Sequence, residues 1–188
     1  MVPLFIMCIA MWWLIVNRLL FFRRMYRNNM SPEAALEHIQ NDCMPDTGQY
    51  RSATSLLVAE YLFHKGKNRS ANGFILEETV AKINRRITAY LAVIGVLAAA
   101  APLLGLLGTV TGMMETFDVL AVFGTGNAKA MASGISEALI TTQTGLLIAI
   151  PGLYMKGFLD KRSRSLEQQM ETVGYFLKRN LIGANNMH

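Results

Sequence analysis

The sequence has few of the residues from which most soluble enzyme sites are built. It contains two cysteines and three histidines in 188 residues. Cys8 and Cys43 show no spacing typical of a disulfide or a metal site, and the histidines form no HxxxH or HExxH pattern. A phosphate-binding loop of the GxxxxGK[ST] type is also absent from the sequence. We therefore expect no metal, no cofactor and no enzymatic activity.

Charged residues are also scarce, at 16%, whereas 52% of the residues are hydrophobic. The hydrophobic residues are concentrated in three stretches, at 2–22, about 89–114 and about 130–155. A helix of about 20 apolar residues crosses a hydrocarbon core of about 30 Å. The sequence therefore predicts an all-α integral membrane protein with three transmembrane helices and long cytoplasmic helical extensions.

The charge pattern predicts how the chain is oriented. Of the 18 Lys and Arg residues, only Lys129 lies between the second and third stretches, which leaves 18 − 1 = 17 on the other side. Basic residues accumulate on the cytoplasmic side of membrane proteins. The predicted layout is a transmembrane helix at 1–22, a cytoplasmic helical domain at 23–86, a transmembrane helix at 87–120, a periplasmic connector at 121–130, a transmembrane helix at 131–155 and a cytoplasmic helix at 156–188.

The same pattern disfavours two other interpretations. A net charge of +5 could indicate nucleic-acid binding, but the basic residues cluster beside the apolar stretches, so we expect membrane lipids and no nucleic acid as contacts. A secretory signal peptide at the N-terminus is disfavoured because the positive charges follow the apolar stretch and no small-residue cleavage site is evident.

Local signals divide the polar segment 23–86 into helices. Ser31 followed by Pro32 and Glu33 predicts a helix start, and residues 44–48 (MPDTG) predict a turn. A second helix is expected at 49–65, and the Gly- and Asn-rich segment 66–73 is expected to interrupt it. Two helical stripes of apolar residues predict packing faces: Leu76, Val80, Ile83 and Ile87, and Leu166, Met170, Val173 and Leu177.

Small residues recur at a spacing of four in the second and third stretches. Small residues let helix backbones approach closely in a membrane, so the pairs predict tight helix packing. Pro102 and Pro151 lie inside the same stretches and can bend a helix without preventing it from spanning. The pairs are Gly108 with Gly112, Gly134 with Ala138, and Gly145 with Ala149.

Glu137 is the strongest candidate for a functional residue. It lies about seven residues into the third stretch, where an ionised carboxylate facing lipid is costly, so it should face protein or water. Thr141 and Thr144 follow on the same helical face and extend a polar strip, which is typical of an ion path. Pairing of Glu137 with a cation on a neighbouring helix is the alternative. Glu115 is a secondary candidate near the end of the second stretch.

Two segments resemble a known family. GLLGTVTGMMETF at 105–117 and GISEALITTQTGLLIAIPGL at 134–153 resemble the signature of the ExbB, TolQ and MotA proton-channel family, most closely its ExbB branch. By that resemblance Glu137 matches the acidic residue of the family's third span. Thr109 and Thr142 match threonines that line the pore beside an essential aspartate of the partner.

The resemblance also implies an assembly. We expect a homo-oligomer, as a pentameric ring, with two copies of an ExbD-like single-span subunit in its pore, in the bacterial inner membrane. The complex would pass protons inward and energise a TonB-like protein for uptake across the outer membrane. The sequence begins almost directly with the first stretch, so the longer periplasmic N-terminal segment of some ExbB proteins is expected to be absent.

Alternatives remain open at this point. A TolQ-like subunit of an envelope-maintenance motor shares the same motifs, and a passive membrane scaffold would share the helices without the ion path. Sodium could replace protons. The absence of a four-span layout argues against a flagellar stator of the MotA type, and three spans are too few to enclose a transport route without partner chains.

Overall fold

The computed structural model describes residues 2–26, 30–45, 52–66, 69–123 and 128–183. Helices account for nearly all of these residues, and no strand occurs among them. The six helices are α1 (Val2–Met25), α2 (Pro32–Gln40), α3 (Ala53–His64), α4 (Arg69–Thr88), α5 (Leu91–Phe123) and α6 (Ala128–Gly183).

Three of the helices, α1, α5 and α6, contain segments long and apolar enough to cross a membrane. Most of their large apolar side chains are exposed in the single chain, as expected for surfaces that face lipid or other membrane helices. The prediction of an all-α membrane protein is therefore confirmed. The predicted division into membrane, cytoplasmic and periplasmic segments stays a prediction.

The described chain forms two compact units. The first unit contains residues 1–17 and 90–158, which are the start of α1, all of α5 and the first part of α6. Its interior contains small residues of α5 and α6 together with larger side chains. Ala101 and Ala149 are buried together with Met7, and a Cβ added at Gly152 would meet Met11 Sδ at 2.6 Å. Helices α5 and α6 therefore approach each other through small residues, whereas α1 contributes large side chains such as Met7 and Met11.

The second unit contains residues 18–89 and 159–188. Helix α2 packs on α3, and α3 packs on α4. Large apolar side chains fill its interior. Both predicted apolar stripes are confirmed as packing faces: Val80 is half-buried, and buried are Leu76, Ile83, Ile87, Leu166, Met170, Val173 and Leu177.

Capping residues set the helix starts in this unit. The prediction for α2 is confirmed, because Ser31 Oγ accepts a hydrogen bond of 3.2 Å from Ala34 N and Pro32 is the first helical residue. Ser52 caps α3 in the same way, accepting from Ser55 N at 3.3 Å. Ser52 Oγ also accepts from Met30 N at 3.4 Å, so one hydroxyl links the residues before α2 to the start of α3.

A buried arginine of α1 caps the C-terminal end of α4. Arg18 is only 7% exposed, and its guanidinium donates to Arg86 O at 3.1 Å and to Ala89 O. The carbonyls at the end of a helix lack partners within the helix, and a cation there is also favoured by the helix dipole.

Other sequence expectations differ from the structure. Residues 69–73 were expected to interrupt the helix, but α4 already begins at Arg69. The helix ahead of it ends at His64. Residues 46–48 of the predicted turn and residues 49–51 of the predicted second helix lie outside the described residues. Helices α5 and α6 continue through Pro102 and Pro151, as expected from the sequence.

Candidate ion pathway

Helices α5 and α6 meet along a line of small residues in the first unit. A Cβ added at Gly145 would lie 2.7 Å from Ala101 O, and one added at Gly112 would lie 3.0 Å from Ala138 Cβ. One added at Gly108 would lie 2.6 Å from Thr141 Oγ1. Contacts below 3.0 Å leave no space for a side chain. The glycines of the predicted pairs therefore allow the two backbones to touch.

Threonine hydroxyls connect the two helices at the same line. Thr142 Oγ1 donates to Gly105 O at 3.1 Å, and Thr141 Oγ1 lies 3.3 Å from the same oxygen. Thr141 also donates to Ala138 O of its own helix at 2.6 Å. Interhelical hydrogen bonds of this kind hold helices together where apolar burial contributes little.

A cleft of about 360 Å³ opens on one side of this line. Both carboxylates of the predicted pathway line it, one from each helix, and three hydroxyls accompany them. The polar residues of the cleft are Thr111, Glu115 and Thr116 from α5, and Glu137 and Thr141 from α6.

Glu137 lines the cleft and is exposed in the single chain. Among the described residues of this chain, no ion pair involves Glu137. Within that part of the chain, no cationic side chain pairs with Glu137, as the alternative interpretation would require. A carboxylate placed this way is open to water or to another chain.

The remaining predicted residues lie outside the lining of the cleft. Thr109 donates to Leu106 O at 2.7 Å and Thr144 to Ile140 O at 2.7 Å, each within its own helix. An α-helix turns by about 100° per residue. Thr109 and Thr142 therefore lie on one side of the line of small residues between α5 and α6, and Glu115 and Glu137 lie on the other. The predicted pathway residues thus form two groups on the two sides of one helix contact, and their roles stay predictions.

Sequence reasoning missed Thr111, Thr116 and the carbonyl of Gly105. A signal for the first two was present, because positions 108, 111, 112, 115, 116 and 119 form one helical stripe on α5. The carbonyl of Gly105 had no such signal, since every residue carries a main-chain carbonyl.

These features define a class of protein. The chain is an α-helical membrane protein in which two closely packed spans carry carboxylates and hydroxyls between them.

The comparison with known families agrees with this class. The chain belongs to the MotA/TolQ/ExbB proton channel family, whose model matches residues 45–172. The prediction that rested on the two motifs is confirmed.

Individual relatives carry related names. The chain is 34% identical over 129 residues to the biopolymer transport protein exbB1 of Vibrio cholerae, covering 66% of this chain and 55% of that protein. It is 32% identical over 150 residues to a putative biopolymer transport protein ExbB homolog of Methanothermobacter thermautotrophicus, covering 77% and 53%. The chain thus spans about half the length of these curated relatives.

Proposed function

We propose that the chain is the channel-forming subunit of a motor in the bacterial inner membrane that is driven by the proton-motive force, of the ExbB–ExbD type. In this proposal it forms a homo-oligomeric ring, a pentamer by resemblance, around single-span ExbD-like subunits. The motor energises a TonB-like protein for uptake across the outer membrane. The chain works by coupling ion flow to movement, without covalent catalysis.

The observation that carries the proposal is the cleft between α5 and α6. Glu115 and Glu137 line it from two membrane-spanning helices, together with Thr141. Ionisable side chains inside a membrane are costly and mark ion or proton routes. A row of hydroxyls next to them offers hydrogen-bond partners to water or to a moving proton. The family membership supports the same interpretation.

The energy for the movement comes from the gradient. A charge that crosses the membrane gains about 2.3 kcal/mol per 100 mV of membrane potential, and the proton gradient adds to this. With 17 of the 18 basic residues on one side, the positive-inside bias favours a cytoplasmic C-terminus and a periplasmic N-terminus in this proposal.

The test is proton flux into liposomes that contain the chain together with an ExbD-like subunit, under an imposed gradient. Glu137→Gln and Glu137→Ala are expected to abolish flux while the complex still assembles, because both remove the ionisable group. Glu171→Gln is the matched control, since Glu171 is an exposed residue of the same helix in the second unit. Full flux in both Glu137 variants would contradict the proposal.

A second measurement separates an ion path from a passive scaffold. The double variant Thr109→Val with Thr142→Val keeps the shape of both side chains and removes their hydroxyls. A scaffold tolerates this change, whereas an ion path loses flux. Replacing protons by sodium in the imposed gradient tests which ion is carried. Uptake and envelope-integrity assays in cells lacking the chain distinguish the ExbB-like role from a TolQ-like one.

A further inference from the structure

A cavity of about 730 Å³ lies between α4 and the last part of α6 in the second unit. This volume falls within the range of about 300–1,000 Å³ that is usual for binding sites. Among its lining residues, Leu76 and Gly174 are buried, whereas the side chain of Tyr175 is exposed. The cavity therefore combines a buried apolar part with an aromatic side chain that is open to a partner.

The two helices that line the cavity run antiparallel. Lys178 Nζ lies 2.5 Å from Glu77 Oε1, and a Cβ added at Gly174 would lie 2.8 Å from Val80 Cγ2. Residue numbers therefore rise along α4 where they fall along α6. By the same alignment, position 84 of α4 lies level with about position 171 of α6.

The end of the cavity formed by Asn84 and Glu171 presents acceptors without donors. Asn84 Oδ1 is buried and has no hydrogen-bond partner in the described part of the chain. The exposed Glu171 carboxylate forms no ion pair with any described residue. A group that binds here must donate hydrogen bonds, and a positive charge strengthens them. An arginine guanidinium meets both requirements, because it has five N–H donors in one plane.

The opposite end of the cavity carries an unpaired cation. Lys178 is already paired with Glu77, whereas no ion pair within the described ranges involves Arg179. At 1.5 Å per residue, Arg179 lies about 12 Å from Glu171 along α6. Two helical residues that are seven positions apart span about 10.5 Å and lie on the same face. The cavity therefore fits a helix that carries an arginine and, seven positions away, an acidic residue.

The outer face of α4 has this pattern. Glu78 and Arg85 are seven residues apart, both are exposed, and neither has an ion-pair partner among the residues that the structure describes. Phe74, one turn before Glu78, is 75% exposed. We call Phe74, Glu78 and Arg85 the outer stripe. All three lie outside the lining of the cavity, so the stripe is available to another chain.

We propose that the outer stripe of one copy of this chain docks into the cavity of a neighbouring copy. The contact is head-to-tail, because the stripe and the cavity are different surfaces, and contacts of this kind close into rings. The inference rests on the homo-oligomeric ring of the proposed function, and it names the residues that join adjacent copies outside the ion pathway.

The heights of the charges match in such a ring. Rotation about an axis that runs along α4 and α6 leaves every residue at its own height. Arg85 of one copy is then one helical residue, about 1.5 Å, from the level of Asn84 in the next copy, which is also the level of Glu171. The guanidinium of one copy thus supplies the donors that this end of the cavity lacks.

The acidic residue of the stripe matches the other end. Glu78 of one copy is one residue from the level of Glu77 in the next, where Lys178 binds Glu77 and Arg179 follows directly on α6. Phe74 of the same stripe brings an apolar ring to the end of the cavity that contains Leu76. The four unpaired charges of each copy are therefore neutralised by its two neighbours.

Charge reversal tests the contact. Glu171→Arg and Arg85→Glu each place like charges against each other between copies. Each is therefore expected to raise the protein concentration at which half of the rings dissociate by about tenfold. The double variant Glu171→Arg with Arg85→Glu restores opposite charges and is expected to return this concentration close to the wild-type value. Mass photometry of the full-length protein in detergent measures both the size of the ring and its dissociation.

Glu37→Arg is the matched control, since Glu37 is exposed on α2 of the same unit and the reversal there leaves the ring unchanged. A double variant that dissociates as readily as the two single variants overturns the proposal.

Cross-linking covers the case in which the reversed variants do not fold. Two copies with different tags are expressed together, both with Cys8→Ser and Cys43→Ser, the chain's two cysteines. One copy carries Arg85→Cys and the other Glu171→Cys. A short bismaleimide added to membranes is expected to give a dimer that contains both tags, and none when Glu37→Cys replaces Arg85→Cys. Absence of the mixed dimer overturns the proposal, as does linkage of Glu171→Cys to the ExbD-like subunit instead.

Failure of this contact differs from failure of the proposed function. If the mixed dimer forms but the wild-type complex passes no protons, the proposed function fails and the contact stands. If proton flux depends on Glu137 but the mixed dimer is absent, the contact fails and the proposed function stands.

Discussion

The two units of the chain are stabilised in different ways. In the first unit α5 and α6 meet through glycine and alanine, and the Thr142 hydroxyl donates to Gly105 O across the contact. In the second unit leucine, isoleucine, methionine and valine fill the interior, and ion pairs such as Lys82 with Glu60 lie at its surface. The difference agrees with the predicted division of the chain into membrane and cytoplasmic segments, because apolar burial stabilises helices against water but contributes little against lipid.

The comparison predicts different consequences for the same kind of substitution. Removing volume should damage the second unit most, whereas adding volume should damage the first. The first two of the following variants test this difference, and the other two test polar contacts of the second unit, all in the protein in detergent.

Leu166→Ala is expected to have the largest effect. Leu166 is 1% exposed in the second unit, and truncating a buried leucine costs about 2–5 kcal/mol because a cavity remains. The measurement is the thermal unfolding midpoint. Leu147→Ala is the control, since Leu147 is 72% exposed in the first unit and loses few contacts within the chain. Equal destabilisation by both variants would contradict the comparison.

Gly145→Ala is expected to destabilise the first unit by about 1–3 kcal/mol, as overpacking does. The added Cβ would lie 2.7 Å from Ala101 O, and main-chain atoms of both helices would have to move. Gly157→Ala on the same helix has no atom within 4 Å of its new Cβ. That control is expected to be stabilised by about 0.5–1 kcal/mol, because alanine favours the helix. Equilibrium unfolding in denaturant measures both, and a neutral Gly145→Ala would sink the prediction.

Arg18→Met is expected to cost about 1–2 kcal/mol, since it removes two charged hydrogen bonds from the end of α4. The other buried polar side chains described in the second unit are uncharged: Ser52, Thr54, Ser55, Thr79 and Ser163. Arg23→Met is the control, because Arg23 is exposed on the same helix. Hydrogen exchange at the last turn of α4 should rise in Arg18→Met only. Unchanged exchange there would mean that the cap contributes nothing.

Lys82→Met is expected to have the smallest effect, about 0.5 kcal/mol, because the ion pair with Glu60 is partly exposed. The hydrogen bond from Lys82 lowers the pKa of Glu60, against the effect of burial. A lowered folded-state pKa stabilises the protein above the ordinary glutamate pKa of about 4.3, and this contribution is lost as the pH falls through the lowered value. Unfolding midpoints along a pH series should therefore differ between wild type and Lys82→Met at neutral pH and converge in acid. If the unfolding midpoints of wild type and Lys82→Met still differed in acid, the ion pair with Glu60 would be excluded as the cause.

Much of the fold follows from patterns along the chain. The apolar stretches predicted α1, α5 and α6, and the stripe from Leu166 to Leu177 predicted a buried face. Both predictions use only neighbouring residues, because the length of an apolar stretch and the spacing of apolar residues can be read within one segment of the chain. The start of α4 at Arg69 was missed. Gly and Asn weaken a helix only by about 1 kcal/mol per residue, and tertiary packing of residues such as Leu76 outweighs this.

The candidate site was predictable only in part. Glu137 could be identified because it is an ionisable residue within an apolar stretch, and Thr141 because it follows four residues later on the same helical face. The separation of Thr142 from Glu137 by the helix contact depends on which faces of α5 and α6 meet, and that is set by glycines on both helices. The faces of α5 and α6 that meet can be identified only when the two helices are placed together.

The acceptor of the Thr142 proton is a main-chain oxygen, and this has a consequence for mutagenesis. No substitution at position 105 deletes that oxygen, because all amino acids share it. A scan that replaces one side chain at a time would detect position 105 only through the bulk it adds. Replacing the peptide bond between residues 105 and 106 by an ester, through chemical synthesis, would weaken the acceptor while leaving both side chains as they are.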